Sequence, residues 1–297
     1  MPKLVCGIDD SEPARAAVRV ATALSAALGK STVLIHVVPR PIGAVAAGGW
    51  YAYPHHLDRE AVESAGEELL ARVAAEFELP PETEGRVEIG APATVLAEVA
   101  EDESVDLLVV GTRRRGWLAT AFLGSVSAAL VARAHCPVVV VPPDVRLGPG
   151  PVLCAVDDSA AAHRATLVAR RLSYALKAEL VLVHALAIAQ VVNPATVAAE
   201  QTRLARGERS RAEALLADLA FGHGFGTDVE RRVVFGSEAD AIAELAEELD
   251  ASLVVIGTRR RGPLKALLVG SVSFELRTRS PLPVVVAADD ARVPASA

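Results

Sequence analysis

The sequence predicts an α/β protein made of two copies of one domain, each a five-stranded parallel sheet flanked by helices. Three observations carry this. Short runs of apolar β-formers alternate along the chain with stretches at helical spacing, the pattern of repeated strand–helix–strand units. The runs are nearly continuous in Val, Leu and Ile, as strands buried on both faces require. Finally, Gly111-Thr-Arg-Arg-Arg-Gly116, running on to Gly124-Ser-Val-Ser127, recurs as Gly257-Thr-Arg-Arg-Arg-Gly262, running on to Gly270-Ser-Val-Ser273, at a constant offset of 146 residues (111 to 257, 124 to 270). Between 111–141 and 257–287, 17 of 31 positions are identical, which points to shared use of the two stretches.

A chain of 297 residues is at the upper size of a single core, so two domains are expected. Their bounds are set at 1–143 and 150–288, joined by the breaker-rich Pro142–Pro151. A net charge of −7 argues against a nucleic-acid partner. No apolar run reaches the roughly 18 residues a membrane span needs. The start, Met-Pro-Lys, lacks a signal pattern, so a cytoplasmic location is expected. Three cysteines without a C-x-x-C pair give neither a disulfide framework nor a zinc site, and no metal site is expected. Cys6 and Cys154 fall at matching places in two buried strands and read as inert core thiols.

In order, Leu4–Asp9 is a strand ending in an acid. Ser11 caps the next helix, which has Pro13 in its first turn and stops at Gly29. Thr32–Val38 is the second strand, 57–77 a long helix, and Arg86–Gly90 the third strand. A helix over Pro92–Glu101 leads to the fourth strand, Val105–Val110. A helix over 125–134 precedes the fifth, Pro137–Val141. The second copy retraces this with Leu153–Asp157, His184 for His36, Arg232–Gly236 and Leu282–Val286.

Open parallel sheets bind ligands beyond the carboxyl ends of their strands, where the strand order reverses. If strands one and four are neighbours there, Asp9 and the Gly111 loop face one crevice. A glycine-rich loop followed by Gly-Ser opening a helix suits phosphate, because bare backbone N–H groups and a helix N-terminus both favour an anion. On charge alone the Arg triplets read equally as solvated loops or as phosphate neutralisers. Asp-x-Ser reads as ligand contact or simply as a helix cap. His36 and His184 have no nucleophile or metal ligand placed with them and read as packing histidines; His55-His56 reads as loop. Ile42–Tyr53, present only in the first copy, is either an insertion or an aromatic lid carrying Trp50, Tyr51 and Tyr53.

These residues resemble the universal stress protein family in its tandem two-domain form. That family's nucleotide-binding members carry G-x-x-G-x9-G-[ST] after the fourth strand and Asp-x-Ser after the first. Here the elements stand as Gly111-x-x-Arg114-x9-Gly124-Ser125 and Gly257-x-x-Arg260-x9-Gly270-Ser271, with Asp9-Asp10-Ser11 and Asp157-Asp158-Ser159. The spacing is intact, and arginine replaces the second glycine in both copies. If that glycine has positive φ, arginine there costs about 1–2 kcal/mol; against this, it brings five donors suited to phosphate.

The resemblance implies Rossmann-like domains of the adenine nucleotide alpha hydrolase-like kind. It also implies ATP as ligand, with or without Mg²⁺, and a nucleotide-responsive stress regulator. Asp9 and Asp157 would then hydrogen-bond the ribose, and the backbone at Val37 and Ala185 would meet the adenine edge. Gly111, Gly124, Ser125 and Ser127 would hold phosphates, as would Gly257, Gly270, Ser271 and Ser273. Gly7, Val110, Arg114, Val126, Ala155, Ile256, Arg260 and Val272 complete the expected set. The alternatives are a partner-binding scaffold that has lost nucleotide binding, for which the arginines argue, and a slow ATP hydrolase. No recognisable motif places a general base, a Walker lysine or an acidic pair for Mg²⁺, so weak ATPase activity at most is expected. Fifth strands of consecutive valines would be exposed edges in isolated domains. In the family they form dimers. Here the two halves are expected to satisfy each other as an intramolecular pseudo-dimer, with a homodimer and an unidentified protein partner left open.

Overall fold

A computed structural model describes residues 3–39, 59–112, 125–186, 198–225, 229–258, 282–288, 290–291 and 293. The first domain runs β1 (Lys3–Ile8), α1 (Glu12–Leu28), β2 (Ser31–Val38), α2 (Arg59–Glu76), β3 (Glu84–Ile89), α3 (Pro92–Asp102), β4 (Leu107–Gly111), α4 (Ser125–Arg133) and β5 (Val138–Val141). The second runs β6 (Val152–Ala155), α5 (Ala160–Leu176), β7 (Leu180–Leu186), α6 (Ala198–Gly222), β8 (Glu230–Phe235), α7 (Glu238–Glu248), β9 (Leu253–Thr258) and β10 (Val284–Ala288).

All ten strands form one sheet in the order β3-β2-β1-β4-β5-β10-β9-β6-β7-β8. Each half is parallel throughout, and the halves join where β5 and β10 pair antiparallel, Val138, Val139 and Val140 opposite Val286, Val285 and Val284. The valine edges are thus covered by each other. The outer strands β3 and β8 instead carry charge, with Arg86 bonded to Glu84 and Arg232 to Glu230, which discourages further strand addition. Helices α1, α2, α5 and α6 pack on one face, and α3, α4 and α7 on the other. Two-sided cover explains the unbroken apolar runs in β1, β4, β5 and their counterparts.

Local chemistry sets the helix ends. Ser11 has extended backbone, and its Oγ accepts the Ala14 N–H at 3.4 Å; Ser159 does the same for Ala162 at 3.3 Å. Helix α1 ends on Gly29 in the left-handed region, φ 62°. At the matching end of α5 stands Lys177, at φ 54°. A side chain is strained there, so Lys177→Gly is expected to stabilise the second domain by about 1 kcal/mol, read as a raised thermal midpoint.

The segment 142–151 departs from the spacer that its prolines and glycines suggest. Val145 is buried in the core. At Gly150 a Cβ would lie 1.7 Å from the carbonyl oxygen of Asp250. The junction is packed against the turn entering β9, and glycine is needed there for close approach.

Candidate functional site

In each half the chain leaves β3 or β8 and returns on the far side of β1 or β6, so the order reverses between β1 and β4 and between β6 and β9. At these points Gly7 pairs with Val110, and Ala155 with Ile256. Beyond them lie Asp9 and Asp157 from one strand, and Thr112 and Thr258 from the other. Two of the expected site segments therefore meet, in both copies.

Asp9 and Ser11 form a single hydrogen-bonded corner. Asp9 Oδ1 accepts the Ser11 N–H at 3.1 Å and also the Ser11 hydroxyl, while Ser11 Oγ accepts from Ala14. Asp157 and Ser159 repeat the arrangement, with the N–H bond at 3.0 Å. The carboxylate stands at the first turn of a helix, where its charge is favoured. A carboxylate has about four acceptor positions, so capping does not exhaust it. The neighbouring Asp10 faces the outside, pairing with Arg15 at 3.1 Å and Arg72 at 3.4 Å.

Gly111 has a reason to be glycine that involves no ligand. A Cβ there would lie 2.3 Å from the Pro13 carbonyl oxygen and 2.9 Å from the Ala14 nitrogen. At Gly257 it would lie 2.6 Å from the carbonyl carbon and oxygen of Ala161. The first turns of α1 and α5 occupy those spaces. Gly7 differs in that its Cβ would meet side-chain ends, Leu96 Cδ1 at 2.7 Å and Val110 Cγ1 at 3.2 Å.

Of the other expected residues, Val37 and Ala185 are buried at the ends of β2 and β7, and Ser125 opens α4, in which Val126 is half-buried and Ser127 buried. Arg114, Gly124, Arg260, Gly270, Ser271, Val272 and Ser273 lie outside the described residues, as does the segment Ile42–Tyr53. Sequence reasoning missed Thr112 and Thr258, both buried beside the corner; the Thr112 N–H donates to Val141 at 2.8 Å. Their recurrence after each glycine was the available signal.

His36 and His184 are half-buried side chains, and each makes a bond into the corner. His36 Nδ1 lies 3.0 Å from the Ile8 carbonyl oxygen, and His184 Nδ1 lies 2.7 Å from that of Val156. A carbonyl only accepts, so Nδ1 carries the proton in both. Burial pushes the thiols of Cys6 and Cys154 up to about 12, so neither is a nucleophile at neutral pH. Among the described residues, no group of three or more His, Cys, Asp or Glu is arranged to hold a metal ion, and no helix is long and apolar enough to cross a membrane.

A duplicated Rossmann-like sheet with this corner at each switch point defines the class: tandem α/β proteins built from two copies of one domain. The Universal stress protein family model matches residues 1–142 and 150–288, and the chain belongs to that family. It is 31% identical over 309 aligned residues to a universal stress protein of Mycobacterium tuberculosis strain H37Rv, covering 96% of this chain and 95% of the relative. A universal stress protein of Mycobacterium bovis is 30% identical over 246 residues, covering 80% and 79%. Among solved structures, a universal stress protein from Archaeoglobus fulgidus DSM 4304 superposes with a TM-score of 0.65 at 20% identity, over 97% of this chain and 98% of that one. At that identity the likeness establishes the shared fold.

Proposed function

We propose that this protein binds ATP at the β1–β4 and β6–β9 switch points and acts as a nucleotide-responsive stress regulator. The observation that supports this best is the repetition of the whole corner. In both halves an Asp-x-Ser turn opens a helix beside a strand whose carboxyl end runs into Gly-Thr. Asp9 and Asp157 take the ribose hydroxyls, and the backbone at Val37 and Ala185 takes the adenine edge. The loops 111–127 and 257–273 take the phosphates. Arg114 and Arg260 contribute guanidinium donors where the family's nucleotide binders carry glycine.

A second reading, a partner-binding scaffold without nucleotide, has the same two arginines in its favour. The test is to denature the purified protein and identify any released small molecule, then titrate the native chain with ATP and Mg²⁺. One or two equivalents of ATP or ADP are expected, and Asp9→Ala and Asp157→Ala should each weaken one site at least tenfold, about 1.4 kcal/mol. A protein that releases nothing and takes up no ATP selects the scaffold.

A further inference from the structure

We propose that His36 and His184 are positioning residues for the two nucleotide sites, acting through Nδ1 on the peptide unit that leads into the site aspartate. This rests on the nucleotide-binding reading above.

The Ile8 carbonyl belongs to the peptide plane whose nitrogen is that of Asp9, and the Val156 carbonyl to the plane whose nitrogen is that of Asp157. Fixing such a carbonyl fixes the orientation of the plane, and with it the direction of the aspartate's N–Cα bond, so that φ is the one backbone torsion left before Cβ. Each histidine reaches that carbonyl from the neighbouring strand, at 3.0 Å and 2.7 Å. In the second half the same residue is held at its other end too, since the Val156 N–H donates to the Val183 carbonyl at 2.9 Å.

The corner downstream then fixes the carboxylate itself through Ser11 or Ser159. The aspartate is therefore gripped before and after, by a histidine on its backbone and a serine on its side chain. This occurs in both copies, although the helices packed over the histidines differ: α2 brings Gly66 close to the His36 ring, and a Cβ there would lie 3.3 Å from its Cδ2, whereas the aligned position of α6 is Ala212. Packing alone would not require the same ring nitrogen on the same carbonyl against two different surroundings. Because Nδ1–H donates whether or not Nε2 is protonated, the grip is independent of the ring's charge.

Asparagine places an amide N–H where histidine has Nδ1, and glutamine places one where histidine has Nε2. The experiment is calorimetric titration of the full chain with ATP and Mg²⁺, for the wild type and for His36→Asn, His36→Gln, His184→Asn and His184→Gln. The glutamine variants should weaken their own site about tenfold and leave the other unchanged. The asparagine variants should stay within about twofold of wild type. Equal losses for asparagine and glutamine, or no loss for either, overturn the proposal while leaving nucleotide binding intact. A wild type that binds no ATP overturns the nucleotide reading instead. Positioning is then read in the ligand-free protein. Only the glutamine variants should move the amide resonances of Asp9 and Ser11, or of Asp157 and Ser159, and equal movement in both variants overturns it.

Discussion

Asp106→Ala is expected to destabilise the first domain by about 3–5 kcal/mol. Lys30 Nζ lies 3.5 Å from Asp106 Oδ2 at the amino end of the sheet, with the two side chains only 7% and 9% exposed. Removing the carboxylate leaves an ammonium in a site that water scarcely reaches, and the desolvation of that charge is no longer offset. Lys30→Ala should cost a similar amount for the opposite reason.

The second domain supplies the control. Its aligned positions are Ala178 and Ser252, and there Ser252 Oγ donates to the Pro151 carbonyl at 3.2 Å while its N–H donates to the same oxygen at 2.9 Å. In the first domain the Asp106 N–H makes the matching bond to Lys3 at 2.9 Å. The backbone therefore accepts either solution. Lys30→Ala combined with Asp106→Ser should fall within about 1 kcal/mol of wild type, because exchanging a whole buried ion pair is often close to neutral. Denaturant unfolding of Asp106→Ala, and of Lys30→Ala, Asp106→Ser and the double variant that combines them, checks this. Additive losses would mean that the two groups do not act as a pair.

That ion pair marks a limit of what the sequence discloses. The features legible in the residues were those with local causes: the continuous Val and Leu runs, Ser11 and Ser159 as caps, Pro13 in a first turn and Gly29 as a stop. Of the strand order the residues carried only a condition, that strands one and four be neighbours, and the pairing of β1 with β4 meets it. What did not follow was anything settled by a partner distant in sequence. Nothing near Lys30 announces Asp106. Nothing in Lys177 marks a left-handed residue, since the usual signal is the glycine it replaces. The prolines of 142–151 marked a junction between the two repeats, but not that Val145 would be buried. The Asp-x-Ser pattern admitted a capping role and a ligand role, and the corner makes capping certain in both copies without excluding a ligand. Gly111 was the subtlest case. As a glycine in an Arg-rich loop it suggested backbone open to an anion, and the structure adds a reason the sequence could not: the first turn of α1 lies against it.

Gly111→Ala is accordingly expected to cost about 3 kcal/mol, at or above the usual range for overpacking. The added carbon would fall 2.3 Å from a main-chain oxygen and 2.4 Å from its carbonyl carbon, so relief requires the end of β4 or the start of α1 to move. Gly257→Ala should behave alike in the second domain, against Ala161. Gly7→Ala provides the comparison. Its obstruction is mainly a leucine methyl, which a rotamer change relieves, and about 1 kcal/mol is expected. Thermal unfolding of the three variants tests the ranking, and equal losses at Gly7 and Gly111 would refute it. The same displacement moves the Ser11 cap and the Asp9 corner, which share that first turn. Gly111→Ala should therefore lower ATP affinity at the first site at a temperature where the protein is still fully folded, whereas Gly257→Ala should leave that site unchanged. A Gly111→Ala protein that is destabilised but binds ATP as tightly as wild type would separate the packing role of this glycine from the nucleotide site altogether.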